Sequence, residues 1–159
     1  MSKIETPMLH NALGESIPLN DLVKWEPSPW RAFHSNAVSW LVDGVSYRLE
    51  EIESITVTLL PDASGFICFE SQRHIDNCRL LDVYGKERIR LTVPYVLTGK
   101  DIPADAEMWF RNVSEPYVNP QNDKKGQFGV TVWIEYAGDY YFELDWHSGH
   151  FLWGKPIRF

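Results

Sequence analysis

Residues 126–159 read GQFGVTVWIEYAGDYYFELDWHSGHFLWGKPIRF, and this stretch decides the fold. It predicts a three-stranded antiparallel meander: Phe128–Tyr136, Tyr140–His147 and His150–Gly154. In the first run Phe128, Val130, Val132, Ile134 and Tyr136 alternate with Thr131, Trp133 and Glu135. In the second, Tyr140, Phe142, Leu144 and Trp146 alternate with Tyr141, Glu143, Asp145 and His147. A period of two is the pattern of a strand with one buried face. A loop at Ala137-Gly138-Asp139 would pair Tyr136 with Tyr140 and Ile134 with Phe142. A turn at Ser148-Gly149 would pair His147 with His150, Trp146 with Phe151 and Leu144 with Trp153. Both turns keep the apolar faces together, which is how register is set.

Working outward, Asp43-Gly44 stands between Val38, Trp40, Val42 and Val45, Tyr47, Leu49, a strong signal for a two-residue type I′ hairpin. A second hairpin is expected from Ile55–Leu59 through the loop at 61–65 to Phe66–Glu70. A third joins Cys78–Val83 to Arg88–Val93 near Gly85-Lys86. Residues 94–125, with Pro94, Pro103, Pro116 and Pro120, read as loop-rich, holding either a strand at Glu107–Arg111 or a helical turn. The polar stretch from Asn119 to Gly126 reads as an exposed loop. Residues 1–30, with Pro7, Pro18, Pro27 and Pro29, should be the least regular part, a single turn at Val23–Trp25 aside, packed across the sheet by Trp25 and Trp30. The expected fold is mainly β: an antiparallel meander, curled sheet or sandwich of hairpins with little helix, in one domain over 1–159. The expected core comprises Val38, Trp40, Val42, Tyr47, Val57, Leu59, Leu81, Ile89, Leu91, Val130, Val132, Ile134, Phe142, Leu144, Trp146 and Phe151.

No stretch carries a nucleophile elbow, a His-Glu-x-x-His run, a phosphate-cradling glycine loop or a Cys-x-x-Cys pair. The sequence therefore points away from an enzyme and assigns no catalytic residue and no cofactor. Glu143, Asp145 and His147 on one strand, with His150 set opposite His147, are weak metal candidates. A structural zinc site wants four protein ligands, so no metal is expected. Cys68 and Cys78, the two cysteines, are expected as buried thiols. Arg79, Arg88 and Arg90, with Arg73, His74, Lys86, Phe69 and Tyr84 nearby, allow a nucleic-acid patch. Charge alternation on a solvated strand is the simpler reading.

The formal charge is −7, from 15 Lys and Arg against 22 Asp and Glu. A field of that sign repels phosphate backbones and attracts basic proteins. Seven Trp, seven Tyr and eight Phe supply more large rings than the strand faces need, and surplus rings serve as binding anchors. No early apolar stretch has the length and flanks of a signal peptide, and none approaches a membrane span. A cytoplasmic protein without membrane or nucleic-acid partners is expected. The candidate contact residues are Glu50, Glu51 and Glu53 after the first hairpin, and Trp133, Glu135, Tyr141, Glu143 and Asp145 on the outer face of the meander.

With its run Asp139-Tyr140-Tyr141-Phe142-Glu143-Leu144-Asp145-Trp146, the chain resembles in general kind the small bacterial immunity proteins that neutralise polymorphic or contact-dependent toxins. The resemblance implies stoichiometric inhibition of a cognate toxin, often a basic nuclease, by occlusion of its active site or substrate path. It transfers no binding residue. Two other readings stay open: a β-module that assembles with itself or a larger complex, and a carrier holding a small ligand in an aromatic cavity.

Overall fold

In the computed structural model Asp43 (φ 51°) and Gly44 (φ 80°) both lie in the left-handed region, as a type I′ turn requires. Their hairpin pairs Val42 with Val45, Trp40 with Tyr47 and Val38 with Leu49, the expected register. The structure describes residues 2–19, 35–50, 52 and 55–157. The residues expected to form the Val23–Trp25 turn and the Trp25 and Trp30 anchors lie outside that range.

The strands are β1 (Glu5–Asn11), β2 (Ser16–Pro18), β3 (Ser35–Val42), β4 (Val45–Glu50), β5 (Ile55–Leu59), β6 (Phe66–Glu70), β7 (Cys78–Leu81) and β8 (Glu87–Leu91). After a 3-10 turn at Tyr95–Thr98 come β9 (Met108–Ser114), β10 (Val118–Asn119), β11 (Lys124–Lys125), β12 (Gly129–Ile134), β13 (Gly138–Asp145) and β14 (His150–Pro156). They form four-stranded sheets ordered β2-β1-β3-β4, β5-β6-β7-β8 and β14-β13-β12-β9, and a ribbon β10-β11. The fold is thus mainly antiparallel β, as the alternation demands. The chain divides into two compact units, residues 1–68 with 81–88 and residues 69–80 with 89–159.

The first unit is built around Trp40. Its indole meets Phe66 edge-on at 4.9 Å and stacks on Tyr47 at 6.2 Å, while its Nε1 donates to the Val83 carbonyl at 2.6 Å. Leu9, Val38, Val42, Val57, Phe66 and Leu81 complete the core around it. Residues 5–18 form a β-hairpin rather than the irregular segment expected, and β1 also pairs with β3. The prolines are placed where a strand tolerates them. Pro18 is on the edge strand β2, and Pro7 sits inside a register shift between Glu5 and Met8, beside Thr6 at φ 46°.

The second unit holds the C-terminal meander, whose three strands stand as expected but in different register. The β12–β13 loop is Glu135–Ala137: Trp133 pairs with Asp139 and Val132 with Tyr140. Ala137 N–H bonds the Ile134 carbonyl at 3.0 Å, with Tyr136 at φ 73° and Gly138 at φ 84°. The shift is by an even number of residues, so the apolar face is kept. The β13–β14 turn is longer than expected, with Trp146–Gly149 between the last paired residues, two more on the β13 side. Gly149 N–H reaches the Asp145 carbonyl at 2.8 Å, so Asp145 pairs with His150 and Leu144 with Phe151. A bulge then sets Glu143 opposite Trp153. This corrects the expected pairs His147–His150, Trp146–Phe151 and Leu144–Trp153, and it moves Trp153 to the face of Tyr141 and Glu143.

Of the expected core, Val38, Trp40, Val42, Val57, Leu81, Leu91, Val130, Val132, Ile134, Phe142, Leu144 and Trp146 are buried. Tyr47, Leu59, Ile89 and Phe151 are half-buried. Both cysteines are buried thiols.

Candidate binding face

The outer face of β9, β12, β13 and β14 follows from strand parity. On β12 the outward residues are Gly129, Thr131 and Trp133; on β13 they are Asp139, Tyr141 and Glu143, with Trp153 and Lys155 on β14. One half of this face is covered by chain 115–126. Tyr117 stands edge-on to Tyr141, ring centroids 4.7 Å apart, and Lys155 Nζ lies 4.2 Å over the Tyr117 ring. Tyr141 also meets Trp153 at 5.5 Å. A side chain at Gly129 would run into the buried Tyr141 ring, so that glycine is needed for this close approach, while one at Gly126 would meet the end of the Glu143 side chain. The stretch expected as a loop at 119–126 is the β10–β11 ribbon, with Asp123 at φ 57° and Asn119 accepting from Gln121 N–H at 2.9 Å.

Tyr141, expected as an exposed contact, is therefore fully buried. Burial pushes its hydroxyl pKa up, opposed in part by the Tyr117 backbone, with Glu143 and Tyr117 adding to the rise. Its Oη makes no hydrogen bond of ordinary geometry. Glu143 is tied to Trp153, whose Nε1 donates to it at 3.1 Å. Glu143 and Asp145 line a groove of about 370 Å³ at the end of the ribbon, with Lys124, Lys125, Trp146, His147 and Leu152 also on its wall. Asp145 accepts from Ser148 Oγ and from His147 N–H, each at 3.0 Å; these bonds, the Ser148 hydroxyl first, hold its carboxyl below the ordinary range. His147 and His150 are exposed, and the turn does not set them opposite one another. Among the described residues no group of three or more His, Cys, Asp or Glu is placed to hold a metal.

The other half of the face is open. Trp109 and Trp133 pair across β9 and β12, with ring centroids 4.6 Å apart and planes inclined by 31°, and both are half-exposed. Arg73 lies over the Trp109 ring at 4.9 Å. Arg111 Nη1 bonds Asp139 Oδ1 at 2.6 Å in the same row. One step along the strands Glu107 faces Glu135: Glu135 N–H donates to the Glu107 carbonyl at 2.8 Å, and Glu107 N–H to Glu135 Oε1 at 3.2 Å. The next turn carries Tyr136, 76% exposed.

The structure thus brings Trp133 and Glu135 together on the open half and puts Glu143 and Asp145 on the groove wall. Glu50 is exposed and paired with Arg48 at 2.7 Å in the first unit. Glu51 and Glu53 lie outside the described residues. The sequence reading missed Glu107 and Trp109. The signal was present: Glu107-Met108-Trp109 mirrors Trp133-Ile134-Glu135, so an antiparallel register stacks like on like. In the arginine-rich hairpin Arg90 is bonded to Glu70 at 2.5 Å and Phe69 is buried, so that ring offers no stacking platform. Among the described residues no helix is long and apolar enough to cross a membrane.

No protein-family model matches the sequence, and no curated protein matches it. The fold is similar to that of a chain in the solved structure of Tne2 in complex with Tni2, with a TM-score of 0.65 and 12% sequence identity. The match covers 98% of this chain and 99% of that one.

Proposed function

We propose that this chain is an immunity-type protein, a non-catalytic binder that neutralises a basic protein in the cytoplasm by covering its active site or substrate path. A toxin domain, in particular a nuclease, is the partner class that fits. The observation that carries the reading is the open half of the outer face, where a pair of indoles lies beside carboxylates on a chain of charge −7. Aromatic anchors inside an acidic rim are what a basic partner needs: the rim speeds encounter and the rings slow release. The similarity to a chain solved within a two-protein complex supports it. The groove supports a small-ligand carrier less, since its wall is largely charged and amide side chains rather than an aromatic enclosure.

The test is capture of the partner from the native host, followed by kinetics at low and high salt. The association rate should fall as salt rises, and Trp133→Ala should chiefly speed release. An RNA or other anionic partner, or association indifferent to salt, would sink the reading.

A further inference from the structure

We infer that Glu107, Trp109, Trp133 and Glu135 form a docking site for an arginine side chain of a protein partner. The inference deepens the proposed function, resting on its reading of a basic partner, and names the site and the chemistry.

The four residues make a two-by-two array on one sheet face. Trp109 opposes Trp133 in register, and the backbone bond from Glu135 to Glu107 continues that register by one row. Like charges directly opposite one another on a sheet destabilise it. Neither carboxylate forms an ion pair with a described residue. The nearby cations are engaged elsewhere: Arg111 bonds Asp139, and Arg73 lies over Trp109 without pairing to either glutamate. The contact from Arg73 shows that these indole faces accept a guanidinium. A second cation entering over Trp133 would meet a ring face and two carboxylates at once, relieving their repulsion. A planar guanidinium stacks and bonds two carboxylates in a way that an ammonium does not.

The array lies within one unit, so it does not depend on any arrangement between units. The occupant is identified by charge complementarity: two carboxylates with no ion pair among the described residues, beside the Trp133 ring face, select a cation, and a planar guanidinium can stack and bond both where an ammonium cannot.

Titrations of the full chain with a tetra-arginine, a tetralysine and a tetraglutamate peptide, read by tryptophan fluorescence and by calorimetry, test this directly. The arginine peptide should bind about fivefold more tightly than the lysine peptide, the scale of one partly desolvated cation–π contact. Glu135→Gln and Trp133→Leu should each cost about fivefold or more, whereas Glu5→Gln, at an exposed carboxylate of the first unit, should change nothing. Glu107→Gln should weaken the peptide while raising Tm, a combination that a misfolded variant cannot give. Equal affinity for the two basic peptides, equal binding by the variants, or no binding at millimolar peptide would each overturn the site. Failure of host capture with peptide binding intact would instead remove the inhibitor reading and leave the site standing.

Discussion

The side chain of Asn77 bonds both ways with the backbone of Phe110: Oδ1 accepts the Phe110 N–H at 2.7 Å and Nδ2 donates to its carbonyl at 3.0 Å. Nδ2 also donates to the Glu70 carbonyl at 3.0 Å. One amide thus stands in for a strand partner along the edge of β9, beside the bulge at Arg111, and Asn77 is buried. Asn77→Ala leaves a buried N–H and carbonyls unpaired and should destabilise by about 2–4 kcal/mol in urea unfolding. Asn77→Asp should be worse at neutral pH, because a carboxylate faces two carbonyl oxygens. The introduced carboxyl has a raised folded pKa, so this loss should shrink as pH falls through that value.

Leu144 is 1% exposed and pairs with Phe151 across the meander. Leu144→Ala should cost about 2–5 kcal/mol, and Leu144→Met less than about 1.5, since it conserves volume. A Leu144→Ala loss under 1 kcal/mol in denaturant unfolding would contradict the burial.

Legibility followed the reach of each interaction. The Asp43-Gly44 hairpin was readable to the residue because its turn and both faces are local. The C-terminal strands were readable, but their register was not. Moving the β12–β13 loop by an even number of residues leaves the apolar pattern unchanged, so alternation cannot choose between the two registers. What chose was backbone geometry at Tyr136 and Gly138, both at positive φ. β1 was hidden by Pro7, which a bulge accommodates. The cover over Tyr141 was hidden because the polar run 119–126 gives no sign of the face it lies on. Trp133 and Glu135 were named from alternation; Trp109 and Glu107 needed the long-range pairing of β9 with β12.

Tyr141→Phe tests that cover. Its hydroxyl is buried without an ordinary hydrogen bond, so removing it should leave stability unchanged or raise it by up to about 1 kcal/mol. Tyr117→Ala strips the edge-on ring contact and should destabilise, with new tyrosine accessibility as the spectroscopic sign.

His10 provides a pH signature for the first unit. Its ring nitrogens lie 2.7 Å from Ser16 Oγ and 2.7 Å from Ser39 Oγ, joining β2, β1 and β3. Burial lowers its pKa from the ordinary value and Arg48 lowers it further, so the native state favours the neutral ring. The stability this contributes is complete above about pH 6.5 and is lost as pH falls through the lowered folded value. Wild-type Tm should therefore drop on acidification in that window more than Tm of His10→Gln. Parallel curves for the two proteins would remove His10 as the cause.

Tyr136 separates stability from binding. It occupies the β12–β13 turn at φ 73°, a conformation that costs a bulky L-residue about 1–2 kcal/mol, yet its ring is largely exposed and gains little burial. A turn selected for stability alone would carry glycine or asparagine there. Tyr136→Gly should stabilise by about 0.5–1 kcal/mol, part of the relieved strain being offset by the greater entropy of the unfolded chain. Tyr136→Ala keeps the left-handed penalty and should show no such gain. If the ring is kept for contact, as its place beside Trp133 and Glu135 suggests, both variants should release the captured partner faster than wild type. The measurement is a pair of numbers for each variant, the urea midpoint and the dissociation rate. Faster release from a more stable Tyr136→Gly protein is the expected result, while an unchanged rate would take the turn out of the interface.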